Sequence, residues 1–492
     1  MDLKVELRKR TKIVATIGPA SQNEETLRAM IRAGTDVARI NFSHGEHEAH
    51  GRNIVTIRRV AEEESVVVAI LADLPGPKLR LGDLVQDPVE LKAGDSVTLT
   101  SSDRLDPKQP RLIPLPHPEV LAEMSAGERL LLDDGQLEFI VRSKQGSDVQ
   151  CEVITGGRLS SRKGVSVPDT RLSMSSITDE DRDHLRFALA QGVDYVAMSF
   201  VRTGDDVREL RWLIHHLKGD AALIAKIEKA EALANFDAIL EQADGIMVAR
   251  GDLGVETPAE EVPIHQKTII RRCNAVGKPV ITATQMLQSM IENPRPTRAE
   301  STDVANAIFD GTDAVMLSGE TAVGKYPVES VAMMARIAQI TEQYLRDHLQ
   351  SLPLELNLSA LKGEKQHSIP AAISHVTAAI AQMLNAKLIV ASTWSGYTAQ
   401  RVARVRPSTP ILAATPNRVT YNRLALVWGV IPVLVETFAT IDEMIDVMVK
   451  TAREADMVQD DDLMVIIGGM PFGVGSQTNF LKVVCVGEND KD

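Results

Sequence analysis

The sequence predicts an α/β protein: an eight-stranded (β/α)8 TIM barrel, a small β-barrel domain inserted into it, and a C-terminal doubly wound α/β domain. Three observations carry that prediction. Eight short, near-continuous apolar runs alternate with helical segments, the pattern of parallel strands buried on both faces. A long stretch between the third and fourth runs breaks this rhythm. Beyond a polar segment, five further strand-like runs again alternate with helices.

The eight runs are Lys12–Gly18, Asp36–Phe42, Val66–Leu74, Asp194–Phe200, Ala222–Glu228, Gly245–Gly251, Pro279–Gln285 and Ala314–Glu320. The segments between them read as helices with glycine C-caps: EETLRAMIRAG stops at Gly34 and DEDRDHLRFALAQG at Gly192. Residues 1–74 supply the first three strands. Residues 75–171 are rich in Gly, Pro and short β-prone pieces (VTLTS, RLLLDDG, LEFIVRS) with little helical period. They read as an all-β domain inserted in the third βα loop, where insertions face the catalytic end of a barrel. Residues 172–350 complete the barrel and 351–367 form a polar linker. Residues 368–492 carry Lys387–Ser392, Pro410–Ala414, Ile431–Val435, Leu463–Gly468 and Lys482–Val486, the strands of the doubly wound domain.

The length of 492 residues exceeds one ordinary core, so several domains are expected. Aromatics are only 3%, so the cores must be aliphatic. A net charge of −13 argues against sequence-independent nucleic-acid binding, which needs a basic surface. Anionic small substrates stay open, because local basic clusters still focus potential. Cys151, Cys273 and Cys485 are far apart and odd in number, which fits a reducing compartment rather than a disulfide framework. The charged start, MDLKVELRKRTK, lacks a signal-peptide core, and no apolar run is long enough for a bilayer. A cytoplasmic chain with no membrane or nucleic-acid partner is expected.

Catalytic groups of a barrel sit where strands end. Here the ends are chemically loaded: Arg39 and Asn41, Asp73, Lys226 and Glu228, Arg250 and Asp252, Thr284, Ser318 and Glu320. Side chains repeat every second residue along a strand, so Arg39 and Asn41 share a face, as do Lys226 and Glu228. Glu228 and Asp252 end adjacent strands. Two carboxylates at a barrel mouth suit a hard divalent cation, Mg²⁺ or Mn²⁺. Taken one at a time, they are better explained by ion pairs with Lys226 and Arg250. Together with the other strand ends they favour the metal. Lys226, flanked by apolar residues, needs a partner. It either stabilises a phosphoryl group or enolate or pairs structurally with Glu228. Weaker signals fall away. GETAVGK at Gly319–Lys325 lacks the P-loop Ser/Thr, since Tyr326 follows. His44, His47 and His50 do not form HExxH and are expected to be solvated at a helix start. Asp133 and Asp134 before Gly135 read as a hairpin turn.

The motifs ARINFSHG, GPKLR, AKIEKAE, ARGDLGVE, TATQMLQSMI, NPRPTRAE and MLSGETAVGKYP resemble those of pyruvate kinases, in the family's order and over nearly the whole chain. The resemblance implies a barrel, a lid formed by the insertion, and a regulatory C-terminal domain. It implies phosphoryl transfer from phosphoenolpyruvate to ADP, giving ATP and pyruvate. By motif, Glu228 and Asp252 would bind the divalent ion, with a second Mg²⁺ on the nucleotide. Lys226 would stabilise the phosphoryl group and Arg39 contact it. Thr284 would serve protonation of the methylene carbon, and the Ala249–Asp252 backbone, Gly251 included, would cradle the substrate carboxylate. Arg80, His44 and Lys163 would approach the nucleotide phosphates, with Pro19 near the base. Many members hold K⁺ beside residues matching Asn41, Ser43 and Asp73, together with a glutamate. Lys78 stands in that glutamate's place, so its ammonium would replace K⁺ and K⁺ would not be required. An allosteric sugar phosphate or AMP would sit at Thr393, Ser395, Gly396 and Thr398, with Arg401, Arg404 and the loop Gly468–Gly475 nearby; a merely well-capped helix is the alternative. The family also implies a homotetramer. Two rivals remain at this point: a barrel lyase or aldolase using the same metal chemistry, which would not need the lid, and a non-catalytic relative, which would not need Lys226, Glu228, Asp252 and Thr284 intact.

Overall fold

A computed structural model describes residues 9–102, 111–349, 369–470 and 478–487. The expected linker at 351–367 lies outside the described residues, as does most of the glycine-rich loop Gly468–Gly475. Eight parallel strands close into a barrel in chain order. They are Lys12–Ile17, Val37–Asn41, Ala69–Leu74, Tyr195–Met198, Ala222–Ile227, Gly245–Ala249, Val280–Ala283 and Ala314–Leu317. Each lies within one of the eight apolar runs. The barrel interior is filled by alternate residues such as Val14, Val37, Leu71, Ala197, Ile224, Met247 and Ile281. The other set faces the helices and joins the large outer core.

The interior alternation positions the chemistry. Continuing each inward row by two residues gives Thr16 after Val14, Arg39 after Val37, Asp73 after Leu71, Ser199 after Ala197 and Lys226 after Ile224. Five adjacent strands therefore change from apolar to polar at one level.

The insertion is the expected small β domain, built as a half-barrel. Six strands run in the order Val165–Ser166, Arg129–Leu132, Leu137–Gln145, Asp148–Thr155, Ser96–Thr100, Leu112–Pro114. All neighbours are antiparallel except the last pair. A separate ribbon pairs Gly157–Leu159 with Val89–Leu91. Both wrap one aliphatic core around Phe139, which also receives Leu172 and Met174. The Asp133–Asp134–Gly135 turn is as expected, with all three residues at positive φ.

The C-terminal sheet runs Val430–Leu434, Ile411–Thr415, Leu388–Ser392, Leu463–Gly469, Thr478–Cys485, parallel except for its last strand. Leu388 and Val390 pack into one core and Ile389 and Ala391 into another on the opposite face, which is what double winding requires. This domain also closes the floor of the barrel: Ala425 and Leu426 belong to the interior barrel cluster. Tyr195 donates from its hydroxyl to Arg423 O at 2.7 Å, and Lys12 from its ammonium to Val430 O at 2.8 Å. Arg10 and Arg406 lie over the Trp428 ring, and Arg406 pairs with Asp313 at 3.0 Å. Among the described residues, no helix is long and apolar enough to cross a membrane.

Candidate active site

The polar level at the barrel's C-terminal mouth is one connected network. Lys226 Nζ lies 2.8 Å from Glu228 Oε1, 3.3 Å from Asp73 Oδ1 and 2.7 Å from Ser199 Oγ. Arg39 donates from Nε to Asp73 Oδ2 at 2.7 Å and from Nη1 to Thr16 Oγ1 at 2.9 Å. Ser199 donates from its own hydroxyl to Leu74 O at 2.7 Å. The side chains of Lys226, Asp73 and Glu228 are only 11%, 2% and 1% exposed, so each charge depends on its neighbours.

The network sets the charge states. Burial opposes ionisation of Asp73, but the charges of Lys226 and Arg39 outweigh it and hold the carboxyl below its ordinary value. Burial likewise opposes the Lys226 ammonium. Asp73 and Glu228 outweigh it and raise Lys226 above its ordinary value. Glu228 goes the other way. Burial raises it and the charge of Asp252 adds to that, while Lys226 pulls it down without prevailing. The Glu228–Asp252 pair thus carries negative charge that one nearby lysine does not fully offset. A divalent cation would relieve this, and the donor set, carboxylate oxygens alone, fits Mg²⁺ or Mn²⁺. Among the described residues no cluster of three or more His, Cys, Asp or Glu could hold a metal unaided. Two carboxylates suffice where substrate oxygens complete the shell, as is usual for Mg²⁺.

Strand ends around the network are bent against their residues' preferences. Phe200 takes φ +54° and so presents its N–H to Glu228 Oε2 at 2.6 Å. Thr284 and Gln285 also lie at positive φ. Thr284 Oγ1 donates to Ala283 O at 2.7 Å and accepts from Gly251 N at 2.9 Å. Thr284 is therefore tied to the start of the helix Arg250–Glu256, which carries Asp252.

Above the mouth a cleft runs to the inserted half-barrel, lined by Lys78, Asp134, Gly164, Phe200, Glu228, Lys229, Asp252 and Glu256. Glu256 joins both walls: it pairs with Lys229 at 3.0 Å and accepts from Ser166 of the insertion. Arg202 holds the returning chain through Leu172 O, Met174 O and Ser176 Oγ. Arg80 and Lys163 come together on the insertion, since Arg80 bridges Gly164 and donates to Arg162 O. Lys163 pairs with Asp133 at 2.8 Å. Pro19 and His44 are exposed just past the first and second strands.

Several expectations change. The alternative pairing of Asp252 with Arg250 is not made, because Arg250 turns to Asp303 at 2.8 Å. The pairing of Glu228 with Lys226 is present. Lys78 is not seated among Asn41, Ser43 and Asp73. Asp73 pairs with Arg39 and Lys226, while Lys78 is exposed on the cleft rim with its ε-carbon beside Gly164. Asn41 Oδ1 accepts from Ser43 N at 3.2 Å. His47 and His50 are not solvated. They pack with Phe42, His184 and Phe187, and His47 shares a 2.7 Å hydrogen bond with His184. Glu320 is structural: its carboxylate accepts from Leu287 N and Ser318 N. In the C-terminal domain Thr393 Oγ1 accepts from Gly396 N at 3.0 Å, and Thr398 is buried against Thr478 at 2.9 Å. Ser395 is exposed. Sequence reasoning missed Ser199, Lys229 and Glu256. Only the inward row through Ala197 could have pointed to Ser199.

Fold and site together define a barrel enzyme of the phosphotransferase class, with a lysine–carboxylate mouth under an inserted β domain. The chain belongs to the pyruvate kinase family. Its residues 8–331 match the family description "Pyruvate kinase, barrel domain", and residues 371–484 match "Pyruvate kinase, alpha/beta domain". The chain is 48% identical to a pyruvate kinase of Geobacillus stearothermophilus, with 97% of this chain and 80% of that protein aligned. It is 41% identical to a pyruvate kinase of Clostridium acetobutylicum, with 97% and 99% aligned. A crystal structure of a pyruvate kinase from Cryptosporidium parvum superposes with a TM-score of 0.90 at 36% identity, covering 99% of this chain and 98% of that one.

Proposed function

We propose that the mouth network carries the family reaction, transfer of the phosphoryl group of phosphoenolpyruvate to ADP, giving pyruvate and ATP. The observation that supports this most is Lys226, fixed between Asp73 and Glu228, the second of which lines the same cleft as Asp252. A buried ammonium held in its charged form is a preorganised counter-charge for a phosphoryl group in transit, and it needs no reorganisation during the reaction. Arg39, held by Asp73 and Thr16, supplies a second positive charge at the same level. Glu228 and Asp252 would hold Mg²⁺ or Mn²⁺, whose chemistry is to neutralise phosphate and enolate oxygens. Thr284 and the Gly251 N–H, bonded to each other, would serve the methylene carbon and carboxylate of the substrate. Arg80, Lys163 and His44 would be the nucleotide-phosphate contacts, with Pro19 beside the base. The insertion acts as the lid. Replacing Glu228 by Gln tests the metal assignment: the Mg²⁺ concentration giving half-maximal rate should rise steeply, and an unchanged value would remove Glu228 from it.

K⁺ is not required in this reading, because Lys78 stands where K⁺-dependent members carry a glutamate; to replace the ion its ammonium would swing from the cleft rim toward Asn41, Ser43 and Asp73. Rates in tetramethylammonium buffer should stay near their value in K⁺, and a many-fold rise on adding K⁺ refutes this. The loop Thr393–Thr398 takes an anionic effector, a sugar phosphate or AMP. Its Thr398 hydroxyl is engaged with Thr478, so the exposed Ser395 and backbone N–H groups would make the contacts. Failure of either compound to bind by calorimetry would leave the alternative, a well-capped helix. The family's homotetramer and a cytoplasmic setting complete the proposal.

A further inference from the structure

The turn after the seventh barrel strand is bent in a way its residues resist. Thr284 has φ +69° and Gln285 φ +56°. A β-branched residue there is an outlier, and such strain persists only where the surroundings over-determine it. One side chain from the neighbouring strand end does most of this. Arg250 donates from Nη2 to Thr284 O at 2.6 Å and from Nε to Ala283 O at 3.3 Å. Its Nη1 is anchored on Asp303 Oδ1 at 2.8 Å and Gln266 Oε1 at 3.4 Å, and Nη2 also touches Met286 Sδ at 3.2 Å. The rigid guanidinium plane fixes two consecutive carbonyls at once, which a lysine ammonium cannot do.

One of these carbonyls is bonded to the Thr284 hydroxyl. Ala283 O, one of Arg250's acceptors, also accepts from Thr284 Oγ1. The same Oγ1 accepts from the N–H of Gly251, the residue after Arg250. A Cβ at Gly251 would stand 3.4 Å from Oγ1, so the two segments are in van der Waals contact. Arg250 thus links the helix start that carries Asp252 to the turn that carries Thr284.

We propose that Arg250, braced by Asp303, is a positioning residue for Thr284, holding its hydroxyl in register with Gly251 for the protonation step. In that step the Thr284 Oγ–H bond breaks as its proton adds to the methylene carbon of the enolate, and the hydroxyl regains a proton from solvent. The C=C π pair becomes the new C–H bond, and an oxygen lone pair becomes the C=O of pyruvate. The proposal rests on the reading that Thr284 serves this step, and the test separates the two.

The test measures kcat, KM and the solvent deuterium isotope effect on kcat for Thr284→Ala, Arg250→Lys, Arg250→Met and the Arg250→Met/Thr284→Ala double variant. Loss of register lowers kcat by about 10²-fold, the scale of a misplacement near 1 Å. KM for phosphoenolpyruvate changes little, and the isotope effect rises as proton transfer becomes limiting. A destabilised fold would lower the active fraction without moving the isotope effect. The double variant is no slower than Thr284→Ala alone. A double variant slowed by the product of the two single effects overturns the proposal, as does wild-type kcat in the Arg250 variants beside a slow Thr284→Ala. If Thr284→Ala itself is unimpaired, the Thr284 reading falls and takes the proposal with it. Should Arg250→Met not fold, Asp303→Asn removes the brace and enters the same cycle, with the same two outcomes deciding.

Discussion

Lys226 holds its proton because two buried carboxylates flank it, and that same arrangement makes it hard to replace. Lys226→Met removes the counter-charge for the phosphoryl group and leaves Asp73 and Glu228 facing each other with less compensation. Turnover should fall by about 10²–10³ or more, as for loss of a preorganised donor, and a steady-state assay reads this directly. Lys78 offers the opposite kind of change. If its ammonium substitutes for a monovalent ion, Lys78→Glu should create a K⁺ requirement absent from the parent, and K⁺-insensitive activity in that variant would contradict the assignment. Lys226, Glu228 and Asp73 were legible in the sequence because strand alternation carries an apolar interior row into them. Ser199 was not, since one hydroxyl at a strand end resembles any other. The partner of Arg250 was hidden for a different reason: Asp303 lies 53 residues away, and no local pattern connects them.

Helix ends and surface pairs decide stability one level up. The helix Arg298–Phe309 opens with a capping box in which Thr297 and Glu300 satisfy each other's backbone N–H groups. Glu300 also accepts from Ser289 N and Oγ, so this cap ties down the segment after the strained Thr284 turn. Thr297→Ala should cost about 1 kcal/mol, seen as a lower urea midpoint of the barrel transition. The first two helices, Glu24–Ala33 and His47–Glu63, are joined by a surface ion network. Hydrogen bonds from Arg59 and then Arg28 bring Glu24 down to about 2, and those from Arg32 and then Arg28 do the same for Glu64. Both carboxyls lie below their ordinary value of 4.5, so their stabilisation is fully present above that pH and is lost as pH falls toward 2. Thermal midpoints of wild type and Arg28→Ala should therefore converge on acidification from pH 5 to pH 2, and added salt should narrow the gap at pH 5. The insertion shows where pattern reading stops. Alternation identified its strands, but whether a sheet closes depends on stagger and long-range register, which period alone does not encode.

At the scale of the molecule the three parts are not strung loosely together. The barrel order was legible because eight apolar runs leave a parallel closed sheet as the simple solution. That the C-terminal domain stops the barrel floor was not, because Leu426 looks like any core leucine until the folds meet. Leu426→Ala should open a cavity at that junction and cost about 2–5 kcal/mol, measured by denaturation, with catalytic residues at the far mouth untouched. The barrel, lid and mouth network converge on a single claim, that the fixed charge of Lys226 between Asp73 and Glu228 serves phosphoryl transfer from phosphoenolpyruvate to ADP. The most direct measurement is ATP formation from these two substrates with Mg²⁺, wild type beside Lys226→Met. Robust ATP and pyruvate production by the wild type, lost in a variant that remains folded, is the predicted result. No ATP from the wild type, or undiminished ATP from Lys226→Met, would contradict it.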